Sequence, residues 1–166
     1  MARSGTFNFQ DFEKIKNNLE KLNQEQVDLF IDACAKELAA RLLAKVIKRT
    51  PVGDYPNSSG KKGGTLRRGW TGGKNSSAVA YADSLTIHHF GDTYVIEIIN
   101  PVEYASYVEF GHRTANHKGW VNGRFMLTIS EQEIQQAAPA IIEKKLMKQM
   151  GESVSYTHLT LPTNSL

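Results

Sequence analysis

Few residues of this 166-residue chain have the type and spacing that catalysis or metal binding requires. His88 and His89 are adjacent on a predicted strand, so their side chains point to opposite faces and cannot share one metal ion. His112 and His117 lie in one loop without helical spacing, and the chain has no His-Glu-x-x-His motif. We therefore expect no metal, no cofactor and no enzymatic activity.

Two further groups could be reactive, and both have a structural explanation. Cys34, the one cysteine, lies on the apolar side of a predicted helix, where a buried and inert thiol is expected. The Glu109 carboxylate either bonds within the subunit, for example to Arg113, or forms an ion pair between subunits, and the sequence leaves both readings open. No nucleophile accompanies Glu109, which argues against general acid–base catalysis.

The composition is that of an ordinary soluble protein with a mild basic excess. Apolar residues make up 40% and charged residues 22% of the chain, and the net charge is +3. This charge is too small by itself to indicate nucleic-acid binding. No apolar run approaches the roughly 20 residues that cross a bilayer. We expect one domain over residues 1–152, cytosolic in the producing cell and without a signal peptide.

Most of the excess positive charge lies in a glycine-rich stretch, residues 51–77, which we predict to be a flexible arm that contacts a partner protein or DNA. Over residues 51–75 five cations oppose one acid, Asp54, which gives a net charge of +4. The glycines do not form a phosphate-binding loop, because the Gly-Lys-Ser/Thr ending is absent. The predicted contact residues of the arm are Lys61, Lys62, Arg67, Arg68 and Lys74.

Regular elements are expected on both sides of this arm. Helical spacing predicts a short amphipathic helix over residues 9–22 and a long helix after Asn23, capped with Gln26 and ended by Pro51. Alternation predicts a hairpin over residues 85–99 around a Gly91-Asp92 turn. The residues just before it, 78–81, extend the first strand or form a short strand of their own.

The second half of the chain is predicted to be mainly helical. Residues 104–110 suit one helical turn or a strand edge, and we favour a short helix that ends at Gly111. A polar loop over residues 112–122 precedes a long helix from about Phe125, with a Ser130–Glu133 capping box and a kink at Pro139. Residues 153–166 resemble the translation of a common sequencing adapter, so we expect a non-native, disordered tail.

Residues of two segments, 64–70 and 104–114, are predicted to form a structural or inter-subunit corner. For Trp70 two roles are open: packing inward with Leu66, or stacking on a base beside its neighbouring arginines. We favour the inward packing. The predicted members of the corner are Trp70, Tyr104, Tyr107, Glu109, Phe110, Gly111 and Arg113.

The order of these parts resembles the gene-10-like tail-component family of long-tailed bacteriophages. The parts are Thr-Pro-Val, Gly-Thr-Leu-Arg-Arg-Gly-Trp, a hairpin, Asn-Pro and Tyr-Ala-Ser-Tyr-Val-Glu-Phe-Gly, and the resemblance runs from about Ala35 to Met150. The chain departs from the family pattern in two places. An insertion over residues 55–63 lengthens the glycine-rich stretch, and residues 123–127 replace a Pro-Phe-Leu-Arg-Pro box.

The resemblance implies an α+β fold, with a small, mainly antiparallel β-sheet flanked by a long N-terminal helix and a long C-terminal helix. It also implies a non-catalytic virion protein, assembled in the host cytoplasm, that forms a ring, typically a hexamer, at the head–tail junction or tail end. Its partners would be copies of itself and other neck and tail-tube proteins, with non-specific contact to packaged DNA and no membrane. The alternative is a basic nucleic-acid-binding module that uses residues 61–74.

Overall fold

A computed structural model describes residues 6–7 and 23–158 of the chain, with side-chain surroundings for residues 23–151. The predicted first helix, residues 9–22, lies outside the described residues. The fold is mixed α and β, which confirms the predicted class. Its helices are α1 (Gln24–Arg49), α2 (Thr65–Gly69), α3 (Ala78–Ser84), α4 (Ala105–Phe110) and α5 (Met126–His158), and a 3-10 turn covers Asn57–Ser59.

The strands form two small antiparallel sheets. Strand β3 (Thr93–Ile96) lies between β1 (Thr6–Phe7) and β2 (Ile87–Phe90). Phe90 pairs with Thr93, so the predicted Gly91-Asp92 turn is confirmed, with a φ of 60° at Gly91. The second sheet pairs β4 (Gly111–Arg113) with β5 (Trp120–Asn122).

Helix α1 begins and ends where the sequence predicts. The Asn23 side chain accepts a hydrogen bond from the Gln26 backbone at 2.9 Å, and the Gln26 side chain accepts one from the Asn23 backbone at 3.3 Å, which confirms the capping box. At the other end Thr50 is extended, with φ −67° and ψ 123°, because Pro51 follows it. The apolar stripe between these ends forms most of the buried core with α5.

Two long-range contacts fix the direction of α5 against α1. Lys45 Nζ bonds Glu133 at 2.7 Å near the start of α5, and Lys145 Nζ bonds Glu37 at 2.8 Å further along it. Arg49 of α1 also forms an ion pair with Glu133. The two helices are therefore antiparallel, and the start of α5 lies at the C-terminal end of α1.

Strand β3 runs along α1 in the same direction as the helix. The Tyr94 hydroxyl donates to Asp28 at 2.9 Å near the start of α1, and Asn100 contacts Leu66 beside the end of α1. The described chain thus has two ends, separated by roughly 30 Å along α1. One end holds the β2–β3 turn, and the other holds α2, α4 and the second sheet.

Three predictions of regular elements are wrong. Residues 78–84 form helix α3 and not a strand, because Ser77 Oγ accepts a hydrogen bond from the Ala80 backbone and the segment is rich in alanine. The predicted polar loop 112–122 contains β4 and β5. Helix α5 starts at Met126, so Ser130 lies inside it and donates to the Met126 carbonyl instead of forming a capping box.

The predicted disordered tail is also wrong for residues 153–158, which continue helix α5. No proline or glycine follows Gly151 within that helix, so no residue there removes a helical hydrogen bond. Residues 159–166 lie outside the described residues. The helix passes through Pro139 as predicted, and the kink at that position stays a prediction. None of the described helices is long and apolar enough to span a bilayer.

Candidate functional site

The Thr-Pro-Val and Gly-Thr-Leu-Arg-Arg-Gly-Trp segments form a buried joint between α1 and α2. Thr50 is fully buried, and its hydroxyl donates to the Val46 carbonyl at 2.6 Å while it accepts a hydrogen bond from Trp70 Nε1 at 2.8 Å. The Arg67 guanidinium donates to the Thr50 carbonyl at 2.7 and 3.2 Å. Trp70 is 2% exposed, which confirms that it packs inward.

Asn100 connects this joint to the chain that enters α4. Its Nδ2 donates to the Leu66 carbonyl at 2.8 Å, and its Oδ1 accepts a hydrogen bond from the Val102 backbone at 3.1 Å. A Cβ on Gly69 would lie 2.2 Å from Asn100 Oδ1, so a larger residue does not fit there. The motif residues therefore build the fold. We call this group the Thr50 joint, consisting of Thr50, Leu66, Arg67, Gly69, Trp70 and Asn100.

The predicted basic arm, residues 51–77, is not one extended segment. Residues 65–71 belong to α2 and the Thr50 joint, so the prediction of an arm is wrong for Arg67, which is half-buried and hydrogen-bonded. The preceding residues form a loop closed at its base, because a Cβ on Gly63 would lie 2.0 Å from the Gly53 carbonyl oxygen. The other predicted contact residues, Lys61, Lys62, Arg68 and Lys74, are exposed.

Glu109 lies in the Tyr-Ala-Ser-Tyr-Val-Glu-Phe-Gly segment, residues 104–111, and caps α5. It is 6% exposed, and its Oε2 accepts a hydrogen bond from the Leu127 backbone at 3.0 Å. Its Oε1 accepts from the Thr128 backbone at 2.9 Å and from the Thr128 hydroxyl at 2.8 Å. The free amides and the dipole at a helix N-terminus favour a carboxylate at this position. Of the two open readings, bonding within the subunit is confirmed, with the start of α5 and not Arg113 as the partner.

Backbone hydrogen bonds join α4 to the segment that leaves β5. Arg124 donates to the Val108 carbonyl at 2.8 Å, and Phe125 donates to the Glu109 carbonyl at 3.0 Å. Phe125 has a φ of 48°, which is unusual for a residue with a bulky side chain. This conformation turns the chain directly from β5 into α5.

Two glycines allow these segments to approach closely. Gly111 has a φ of 89°, and a Cβ there would lie 2.4 Å from the Val121 carbonyl oxygen. A Cβ on Gly123 would lie 2.3 Å from the Glu109 carbonyl oxygen. The predicted short helix ending at Gly111 is confirmed, and the glycine is required for both its conformation and its surroundings.

The exposed surface of this region is apolar and basic. Six large apolar side chains are between 41% and 59% exposed: Tyr104, Tyr107, Phe110, Trp120, Val121 and Phe125. Arg113 and Arg124 are exposed beside them, and Arg113 pairs with Trp120 across the two strands. Protein interfaces are enriched in aromatic residues and arginine. We call these eight residues the aromatic corner and consider it the candidate docking surface.

The sequence predicted half of this surface. Tyr104, Tyr107, Phe110 and Arg113 share it, whereas Trp70 belongs to the Thr50 joint. The residues from β5 onward, 120–125, were missed because β4 and β5 are too short to show an alternating pattern. The Thr114–Gly119 turn between them was the available signal for a hairpin.

Cys34, His88 and His89 each have contacts within the fold. Burial raises the pKa of the Cys34 thiol to about 12, so the prediction of a buried, inert thiol is confirmed. His89 Nε2 lies 3.2 Å from Asp32, and the adjacent His88 contacts Phe90. Among residues 23–151, no group of three His, Cys, Asp or Glu side chains could hold a metal ion.

Comparison with known proteins identifies one family. A family model described as "Bacteriophage HK97-gp10, putative tail-component" matches residues 13–111, more than half of the chain. The match covers the Thr50 joint and reaches Gly111 at the end of α4. No curated protein and no solved structure matches the chain.

Proposed function

The chain belongs to the HK97 gp10-like family of bacteriophage tail components, and we propose that it is a structural virion protein that assembles into a closed ring. We place this ring at the head–tail junction or at the end of the tail, with six copies as the expected number. The chain would have no catalytic role there. Its partners would be further copies of itself and the neck and tail-tube proteins beside it.

The aromatic corner is the observation that supports this proposal. A soluble monomer rarely exposes many large apolar side chains in one region unless they bind something. Here the backbone under the patch is held by the Glu109 cap and by the close packing of Gly111 and Gly123. A surface ordered before docking loses less conformational entropy when a partner binds.

A ring also requires a particular type of contact. Each copy must use two different surfaces, and the rotation between neighbours must close. The aromatic corner lies at one end of the described chain, so a different surface is free to contact the preceding copy. The further inference below concerns that second surface.

Size-exclusion chromatography with light scattering tests the proposal, followed by electron microscopy of any assembly. We expect a mass several times that of the 18.5 kDa chain and ring-shaped particles. The measurement should be repeated with tail-tube and neck proteins encoded beside this chain. A chain that stays monomeric alone and with each of these proteins would contradict the proposed role.

Nucleic-acid contact is the second candidate, favoured by the four exposed cations Lys61, Lys62, Arg68 and Lys74. Binding through phosphates weakens steeply with salt. A variant with these residues changed to Ala should therefore lose duplex binding at low salt. The matched control is Lys144→Ala on α5, which should bind as the wild type does. If the wild type does not bind the DNA duplex at low salt, this second candidate function is wrong.

A further inference from the structure

Helix α1 and the β2–β3 hairpin carry an excess of acids at one end of the described chain, toward which α5 also brings Lys144 and Lys148. At the end that holds the β2–β3 turn, residues 23–35 and 86–95 contain four carboxylates and no lysine or arginine. We call these carboxylates the acidic end: Glu25, Asp28, Asp32 and Asp92. The Tyr94 hydroxyl donates to one of them, Asp28, at 2.9 Å. Burial, this hydrogen bond and the charges of Asp28, Asp32 and Asp92 together raise the pKa of Tyr94 to about 12.

Cations dominate the opposite end of the chain. Arg113, Lys118 and Arg124 are exposed around the second sheet, and the exposed cations of the 51–77 segment lie at the same end. Of the acids there, Glu109 and Glu133 are occupied by contacts within the chain, and Glu131 is half-buried. Asp54 and Glu103 are exposed but outnumbered.

The acidic end also exposes large apolar side chains. Leu29 on α1 is 64% exposed, and Phe90 beside the β2–β3 turn is 67% exposed. Both ends therefore combine apolar side chains with charge, and the charges are of opposite sign. Such complementarity directs association and suppresses wrong partners.

We propose that the acidic end of one copy docks against the aromatic corner of the next copy. Glu25 and Asp92 would face Arg113 and Arg124, while Phe90 and Leu29 would pack against the exposed aromatic side chains. The contact joins two different surfaces at opposite ends of α1, as a head-to-tail ring requires. It rests on the proposed self-assembly and adds the identity of the two surfaces.

A second copy explains both ends of the molecule, which is why we favour it over a nucleic acid. Phosphates would suit the aromatic corner, since basic and aromatic residues bind single strands. They would leave the acidic end and its exposed Phe90 unexplained.

Two charge-reversed proteins test the contact. The corner variant carries Arg113→Glu and Arg124→Glu, and the end variant carries Glu25→Lys and Asp92→Lys. All four side chains are exposed, and within the described chain none of them has an assigned hydrogen bond or ion pair. Thermal unfolding of each variant checks that the fold is kept.

We expect neither variant to assemble alone at a concentration and low salt where the wild type assembles. The midpoint concentration should rise at least about 100-fold, because like charges meet across the contact. An equimolar mixture should assemble again, since each corner then faces an end of opposite charge. The mass of the mixture, measured by light scattering, should match the wild-type assembly.

Each other outcome overturns the proposal in a distinguishable way. Suppose that the wild type assembles, but either variant assembles equally well alone or the mixture does not assemble. The proposed contact is then wrong, while the proposed self-assembly into a ring is not contradicted. If the wild type is monomeric, self-assembly itself fails. If the corner variant assembles normally but loses binding to single-stranded DNA, the aromatic corner is a nucleic-acid surface.

Discussion

The two tryptophans of this chain each follow a glycine in the sequence and have opposite surroundings. Trp70 is 2% exposed and donates to Thr50, whereas Trp120 is 59% exposed on β5. Each lies near a glycine that has no room for a Cβ, Gly69 for the first and Gly111 for the second. The Thr50 joint therefore uses its aromatic residue to hold the fold, and the aromatic corner holds its backbone by other means and exposes its aromatic residues.

The contacts that hold the backbone of the aromatic corner come from residues 104–111. Glu109 and Gly111 point inward, to the start of α5 and to β5, while Tyr107 and Phe110 face outward. A single run of eight residues, 104–111, thus contains both a structural half and a surface half. Substitutions in the two halves should affect different measurements, which makes the comparison testable.

The largest expected effect is that of Trp70→Ala. It removes a buried aromatic side chain and the donor to Thr50, so it should lower the free energy of unfolding by about 3–5 kcal/mol. Urea unfolding measures the loss. Trp120→Ala is the matched control and should change the same quantity by at most about 0.5 kcal/mol. Similar losses for the two variants would contradict the distinction between joint and corner.

Gly111→Ala should be the next most damaging change. Gly111 has a φ of 89°, which is unfavourable for alanine, and a Cβ there would lie 2.4 Å from the Val121 carbonyl oxygen. Overpacking of this kind costs about 1–3 kcal/mol. Gly73→Ala separates the two causes, because Gly73 has a φ of 76° and nothing within 4 Å of a Cβ. We expect Gly111→Ala to be the more destabilising in thermal unfolding, and Gly111→Val to be worse still. Equal effects would mean that close packing at the corner is unimportant.

Glu109→Gln should have a smaller effect on stability. It removes the charge at the start of α5 and brings an amide donor against a backbone donor, and losing a helix cap costs about 0.5–2 kcal/mol. Glu103→Gln is the control, since Glu103 is exposed. Chemical unfolding compares them. A loss of assembly with unchanged stability would restore the inter-subunit role for Glu109.

Acid should weaken the α1–α5 contact that positions both regions. The hydrogen bond from Lys145 lowers the pKa of Glu37, and the hydrogen bond from Lys45 lowers the pKa of Glu133. Stability from these carboxylates is present above their ordinary pKa of 4.5 and is lost as the pH falls through the lowered values. Unfolding measured from pH 6 downward should show a shallower acid loss for Glu37→Gln/Glu133→Gln than for the wild type. An unchanged slope would count against these ion pairs.

Local signals in the sequence predicted the parts of the fold that depend on them. The Asn23–Gln26 capping box, the Pro51 stop and the Gly91-Asp92 turn each involve neighbours within a few residues. Trp70 could be assigned to the core because Leu66 precedes it by one helical turn. These features led to a correct fold class.

Contacts between distant residues could not be predicted in this way. Ser130 and Glu133 have the spacing of a capping box, but Glu109, 18 positions before Leu127, caps α5 instead. The three-residue strands β4 and β5 are too short to show a period. The closed base of the 53–63 loop depends on two glycines that meet only in the folded chain.

The mass of the Trp120→Ala variant, measured by light scattering where the wild type assembles, tests the central claim most directly. If exposed aromatic side chains of the corner join one copy to the next, this variant should elute as a folded 18.5 kDa monomer with an unfolding temperature close to that of the wild type. A variant that keeps the full wild-type mass would contradict the claim.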